Sequence, residues 1–173
     1  MLTDTQILDF MRKISGSILI GPITPADFSN VKTLERLGQT EAWSDNSLET
    51  ELTDANAFHF GLYSAQDRRL LAFVLARTIL DEVHIHRVCT HPGFRRAGCA
   101  RTLIGHLLET ARSRGAHRVF LEVAASNTAA LALYRRAGFT EDTVRENYYS
   151  TGDDAIVMNK QLVAPEPPKG STP

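Results

Sequence analysis

From Val88 to Arg101 the chain reads Val-Cys-Thr-His-Pro-Gly-Phe-Arg-Arg-Ala-Gly-Cys-Ala-Arg, a β-rich run that breaks into a basic, small-residue loop and enters a helix. Arg95, Arg96 and Arg101 form the one basic cluster of the sequence, and Gly98 and Ala100 carry no bulky side chain. Successive backbone N–H groups at a helix start make a cavity for phosphate or pyrophosphate. The same pattern also serves as an ordinary tight turn ahead of a helix, and the loop alone does not choose between the two.

Just upstream, His84 and His86 stand two apart on a predicted strand, so they face one side. That spacing permits a base beside a substrate or a metal pair, and equally a half-exposed pair without function. Two ligands with no obvious third argue against a metal. Cys89 and Cys99 form no C-x-x-C pair, which suggests neither a disulfide framework nor zinc, and both read as reduced, partly buried thiols.

The elements that must position these groups follow from caps and periodicity. Thr24-Pro25-Ala26-Asp27 combines a capping residue, proline at the first helical position and an acid in the first turn, so a helix follows a strand over Ser17 to Gly21. Ser44 to Ser47 opens a second, short helix through Leu52. Ala57 to Tyr63, Leu70 to Thr78 and Val83 to Cys89 read as consecutive antiparallel strands, with turns at Ser64 to Asp67 and Asp81. Leu103, Ile104, Leu107, Leu108 and Ala111 have the spacing of a helix that buries one face, ended by Gly115. A strand over Arg118 to Val123, a helix capped by Ser126 or Asn127 and running to Gly138, and a strand near Ala155 to Leu162 complete the order. Strands first and βαβα alternation later predict an α/β fold with a mixed, mostly antiparallel sheet flanked by helices.

The 173 residues, 43% hydrophobic and 23% charged, suit one compact domain. A net charge of −1 gives no reason to expect nucleic acid or an anionic membrane as partner. No apolar run approaches the roughly 20 residues of a membrane span, and Met1 to Thr5 lack signal-peptide character, which predicts a cytoplasmic protein. The domain is expected over 17–162. Residues 1–16 form an extension whose Ile7, Phe10, Met11 and Ile14 suit an extra helix, and 163–173 a disordered proline-rich tail.

Arg95-x-x-Gly98-x-Ala100 resembles the Arg/Gln-x-x-Gly-x-Gly/Ala element of the GNAT superfamily of N-acetyltransferases. The likeness continues through Leu121 to Asn127, Ala130-Leu131-x-Leu133-Tyr134, Ala137-Gly138-Phe139, Arg145-x-Asn147-Tyr148-Tyr149 and Asp154-Ala155. Within the superfamily, Glu122 to Met158 and the earlier Glu41-Ala42-Trp43-Ser44 are similar to the RimI-type enzymes, which acetylate the amino-terminal alanine of a small-subunit ribosomal protein. Ala72-Phe73, Cys99-Ala100 and His86-Arg87 depart from that pattern.

The resemblance implies a single-domain GNAT fold splayed between central strands, with acetyl-coenzyme A as donor and no metal. Backbone groups of Val88, Cys89 and Thr90 would pair with the pantetheine arm as if it were a strand, the Val88 N–H facing the thioester carbonyl. Arg95 belongs to the matched element, and the amides of Arg96, Ala97, Gly98, Cys99, Ala100 and Arg101 would hold the pyrophosphate. Glu122 would serve as general base through water, Tyr134 as proton donor to the leaving thiolate, and Asn127 as a bond to the arm, a helix cap, or both. The alternatives are a surface ion pair for Glu122 and core packing for Tyr134. His84 is a reserve base. Tyr148 and Tyr149 would wall the acceptor entrance, with Glu146 or Asp153 attracting an ammonium. The acceptor implied is a protein amino terminus; a small-molecule amine acetyltransferase and a non-catalytic acyl-coenzyme-A-binding module are the rival readings. Oligomeric state is not legible.

Overall fold

The structure is a computed structural model that describes residues 18–39 and 42–162. The helix expected before Ile14, the proline-rich tail from Val163 and Glu41 lie outside the described residues. The elements are β1 (Ile18–Pro22), α1 (Phe28–Gly38), α2 (Asp45–Leu52), β2 (Phe60–Ser64), β3 (Leu70–Ile79), β4 (Glu82–Thr90), α3 (Cys99–Ser113), β5 (Arg118–Ala124), α4 (Thr128–Arg136), β6 (Thr140–Arg145) and β7 (Ala155–Gln161). Short 3-10 turns, Pro25–Asp27 and Pro92–Phe94, precede α1 and α3. The strands form one mixed sheet in the order β1-β2-β3-β4-β5-β7-β6.

The expected caps are in place. Asp27 Oδ2 accepts from both the backbone N and the hydroxyl of Thr24, each at 3.0 Å, which closes the turn into α1. Ser44 Oγ accepts from Ser47 N at 3.1 Å and starts α2.

The chain divides into two compact units, with β4 and α3 running through both. The first holds the described residues up to Arg77 together with His86–Ile104. There β1 pairs antiparallel with β2 and β2 with β3. Its core gathers Val31 and Leu34 of α1, Leu48 and Leu52 of α2, and Phe73 and Leu75 of β3 around Cys89. Burial pushes the Cys89 thiol up to about 12, so it stays an inert, protonated group, its Sγ 3.4 Å from the Leu34 carbonyl. A Cβ at Gly38 would lie 2.3 Å from that sulfur and 3.3 Å from the Thr90 carbonyl, so only glycine lets the end of α1 reach β4 this closely.

The second unit comprises Thr78–Ile85 and the described residues from Gly105 onward. Here Glu82–Ile85 pair in parallel with Arg118–Leu121, β5 pairs antiparallel with β7, and β7 with β6. Alternation along β5 buries Val119, Leu121 and Val123 and leaves Glu122 on the other side.

Two differences from the sequence reading have physical causes. The strand expected from Ala57 begins at Phe60, because Ala57 makes only an isolated bridge to Arg77 and His59 turns inward. β6 was not foreseen: Thr-Glu-Asp-Thr-Val-Arg is exposed at all six positions, so no apolar alternation marks it. Its charges suit the edge of a sheet, where they discourage pairing with other chains.

His59 is 4% exposed, and its Nδ1 accepts from Ala76 N at 3.1 Å, which leaves the proton on Nε2 to be donated to the Glu51 carbonyl at 3.0 Å. A second proton would set two N–H groups against each other, and burial already holds this imidazole below the ordinary histidine range. Its folded pKa is therefore below its unfolded one, near 6.5. The stability it contributes is complete above about pH 6.5 and is lost as pH falls through the folded value. The urea midpoint of the wild type should fall from pH 7 to pH 5, and His59→Gln should flatten that slope.

Candidate active site

The first unit carries the basic loop. After β4, His91 Nδ1 accepts from Gly93 N at 3.1 Å and its ring meets Phe94 edge-on at 5.3 Å, which fixes the turn. Arg96 and Gly98 then adopt left-handed backbone, φ 62° and 84°, and α3 begins at Cys99. Such a turn aims consecutive amides at one point, and the first amides of any helix have no intrahelical acceptor. With exposed Arg96 and Arg101 around it, the loop fits the pyrophosphate of a coenzyme. Cys99 is buried, so it offers an amide and no side chain. Arg95 donates from Nη2 to the Gly38 carbonyl at 2.6 Å, fastening the loop to α1. The Val88 carbonyl accepts from Gln39 Nε2 at 2.9 Å, so among its backbone groups the N–H is the one left to a ligand.

The second unit carries the other group of predicted residues. Glu122 projects from β5 at about one-third exposure, with Oε1 2.8 Å from Arg145 Nη1. The hydroxyl of Tyr148 bonds the same carboxylate, which pushes that phenol above its ordinary value, and the Tyr148 ring lies 5.4 Å from the Arg145 guanidinium. Tyr149 meets Tyr148 edge-on at 5.3 Å. Tyr134 on α4 is 7% exposed and packs edge-on against Phe139 at 5.8 Å. Burial first, and the nearby Tyr149 second, raise its phenol far above the ordinary value, so at neutral pH it is a proton donor. Asn127 Oδ1 accepts from Ala130 N at 3.1 Å, so its side chain caps α4.

Three sequence expectations change. Asp153 is no ammonium attractor: its carboxylate bonds both the backbone N and the hydroxyl of Ser126, the hydroxyl bond first among the causes that hold it below the usual range. With Asp154 Oδ1 accepting from Asn147 N at 2.8 Å, it fastens the β6–β7 loop to the start of α4. His84 and His86 do not act as a pair. His84 stacks on Phe120 at 5.2 Å with Nε2 3.3 Å from Glu82, whereas His86 Nδ1 lies 3.0 Å from Glu51 Oε1. Arg145, quoted only as part of a motif, is the cation of the Glu122 site. It escaped notice because its position depends on β6, where Arg145 pairs with Ala155 and Glu122 faces Val157 on the same strand β7.

A mixed sheet that feeds a helix through an anion-holding loop, with a half-exposed strand carboxylate and a buried phenol in its later half, describes an acyl-coenzyme-A-dependent transferase. The chain belongs to the acetyltransferase (GNAT) family, whose model matches residues 28–139. It is an acetyl-coenzyme-A-dependent N-acetyltransferase. It is 34% identical to the ribosomal protein bS18-alanine N-acetyltransferase of Salmonella typhimurium over 142 residues, 80% of this chain and 94% of that protein. The protein of that name from Escherichia coli K12 is 32% identical with the same coverage. The crystal structure of the ribosomal-protein-S18-alanine N-acetyltransferase from Escherichia coli superimposes with a TM-score of 0.80 and 29% identity, covering 90% of this chain and 99% of that one. Ard1 from Thermoplasma volcanium, at 22% identity and a TM-score of 0.74, shares the fold.

Proposed function

We propose that this enzyme acetylates the α-amine of a protein amino terminus, the amino-terminal alanine of ribosomal protein bS18, in the cytoplasm. The observation that carries this reading is the likeness to bS18-alanine acetyltransferases over nearly their whole length. The Glu122–Tyr148 contact beside Tyr149 supports it, because it sets a carboxylate among aromatic walls suited to one ammonium-bearing chain end.

In the proposed reaction the amine attacks the thioester carbon while the Val88 N–H bonds the oxygen on which charge develops. Glu122, through water, takes the proton that nitrogen loses as the C–N bond forms. The C–S bond then breaks, and Tyr134 protonates the leaving thiolate. The amides of Arg96 to Arg101 hold the pyrophosphate, and Asn127 combines its cap with a bond to the arm.

Mass spectrometry after incubation with acetyl-coenzyme A tests the acceptor. A peptide with the bS18 amino terminus gains one acetyl group at its α-amine, and spermidine or an aminoglycoside reacts far more slowly. Faster reaction of the small amines would replace the peptide acceptor with a small-molecule one; coenzyme binding without turnover on any amine would leave a non-catalytic module.

A further inference from the structure

Acetylation of an ammonium removes two protons from nitrogen: one before attack, to give the amine, and one as the C–N bond forms. One equivalent returns to the coenzyme sulfur and one leaves the site, so a second proton acceptor is chemically useful beside Glu122. We propose that His86, oriented by the buried carboxylate of Glu51, is that second acceptor and takes the first proton from the incoming ammonium. The inference rests on the amine-acetylating reading of this chain.

The geometry within the first unit is that of an oriented imidazole. Glu51 is 3% exposed, and its Oε2 takes Arg77 Nε at 2.9 Å and Nη2 at 2.6 Å. Its Oε1 is left for His86 Nδ1 at 3.0 Å. Burial works against the Glu51 charge, but the His86 and Arg77 hydrogen bonds outweigh it and keep the carboxyl below the ordinary range. A carboxylate only accepts, so Nδ1 must carry the hydrogen and the lone pair is on Nε2. Nε2 makes no hydrogen bond to any described residue, and the side chain is 30% exposed.

Other histidines are committed. His59 is buried with both nitrogens bonded, His91 closes the turn after β4, and His84 is stacked and paired with Glu82. The charged surroundings of His86 are Glu51 on α2, Arg77 on β3 with its second partner Asp54 at 2.7 Å, the neutral His59, and the Arg87–Glu35 pair next along β4. Alternation puts His86 on the same side of β4 as Val88, about 7 Å along the strand. That is one hydrogen-bond reach plus one amine or water from a thioester carbonyl at the Val88 N–H. Trp43, Asn46, Ser47, Thr50 and Glu51 line an open depression on the Glu51 side.

The pH dependence separates this role from a structural one. An α-amine of pKa near 8 is about one-tenth neutral at pH 7 and largely neutral at pH 9. In the full-length protein, His86→Gln should lose about tenfold in kcat/KM on the alanine peptide at pH 7 and stay within about twofold of wild type at pH 9. Coenzyme affinity should not change. An equal loss at both pH values, or none at pH 7, overturns the proposal, since a packing defect is indifferent to the state of the substrate amine. Wild type that binds coenzyme yet acetylates no amine removes the functional reading itself, and the proposal falls with it. Nitrogen-15 NMR supplies a readout independent of turnover: wild-type His86 should be the Nδ1–H tautomer, and the Nε2–H tautomer would count against it.

Discussion

Glu122→Gln should lower kcat on the alanine peptide about a hundredfold or more at every pH, with coenzyme affinity within about twofold of wild type, because a missing general base typically costs 10²–10⁴ in rate. Stopped assays and calorimetric coenzyme titration check the two halves. The amide keeps the size of the carboxylate and can still accept from Arg145 and Tyr148, so the loop should remain in place. If Glu122 is only one end of an exposed ion pair, the loss should stay within about fivefold, since such pairs contribute about 1 kcal/mol or less. Tyr134→Phe is the companion experiment. The ring stays packed on Phe139, so a drop of about tenfold or more in kcat with an unchanged melting temperature would assign the effect to the hydroxyl.

The largest expected effect on stability is at a different ion pair. Arg87→Ala should destabilise the protein by about 3 kcal/mol, read as a fall in urea midpoint without change of slope. Glu35 is 1% exposed; its Oε1 takes Arg87 Nε at 2.7 Å, Arg87 Nη2 at 2.6 Å and the Trp43 backbone N at 3.2 Å. Its Oε2 is already buried without a hydrogen-bond partner among the described residues. Removing the guanidinium, which also lies 5.2 Å from the Trp43 ring, would leave a charge with nothing to offset its desolvation. The double variant Glu35→Leu/Arg87→Leu should be less destabilised than Arg87→Ala, because apolar replacements bring no unpaired charge. A double variant as unstable as the single one would mean that packing on Trp43, and not charge, carries the effect.

Much of the chemistry was legible because it is local. The basic loop, its left-handed glycine and the helix behind it occupy one continuous segment, and backbone rules act over that range. Ser44 and Asn127 were readable as caps because a cap bonds an amide only three residues away. Glu122 and Tyr134 were found through motif resemblance; alternation alone put Glu122 on the open side of β5 and said nothing of its partners.

What the sequence determined by itself, then, is the order of elements, the anion-holding loop and the family, since each is written in spacings along the chain. Tertiary structure alone decided that Arg145 and Tyr148 meet Glu122, that Asp153 is spent on Ser126, and that His86 rather than His84 is held by a buried carboxylate. These contacts join residues 23 to 35 positions apart, through a polar edge strand and a helix–strand contact. No periodicity of 2 or 3.6 encodes such pairings, because side-chain partners across elements are fixed by register and packing.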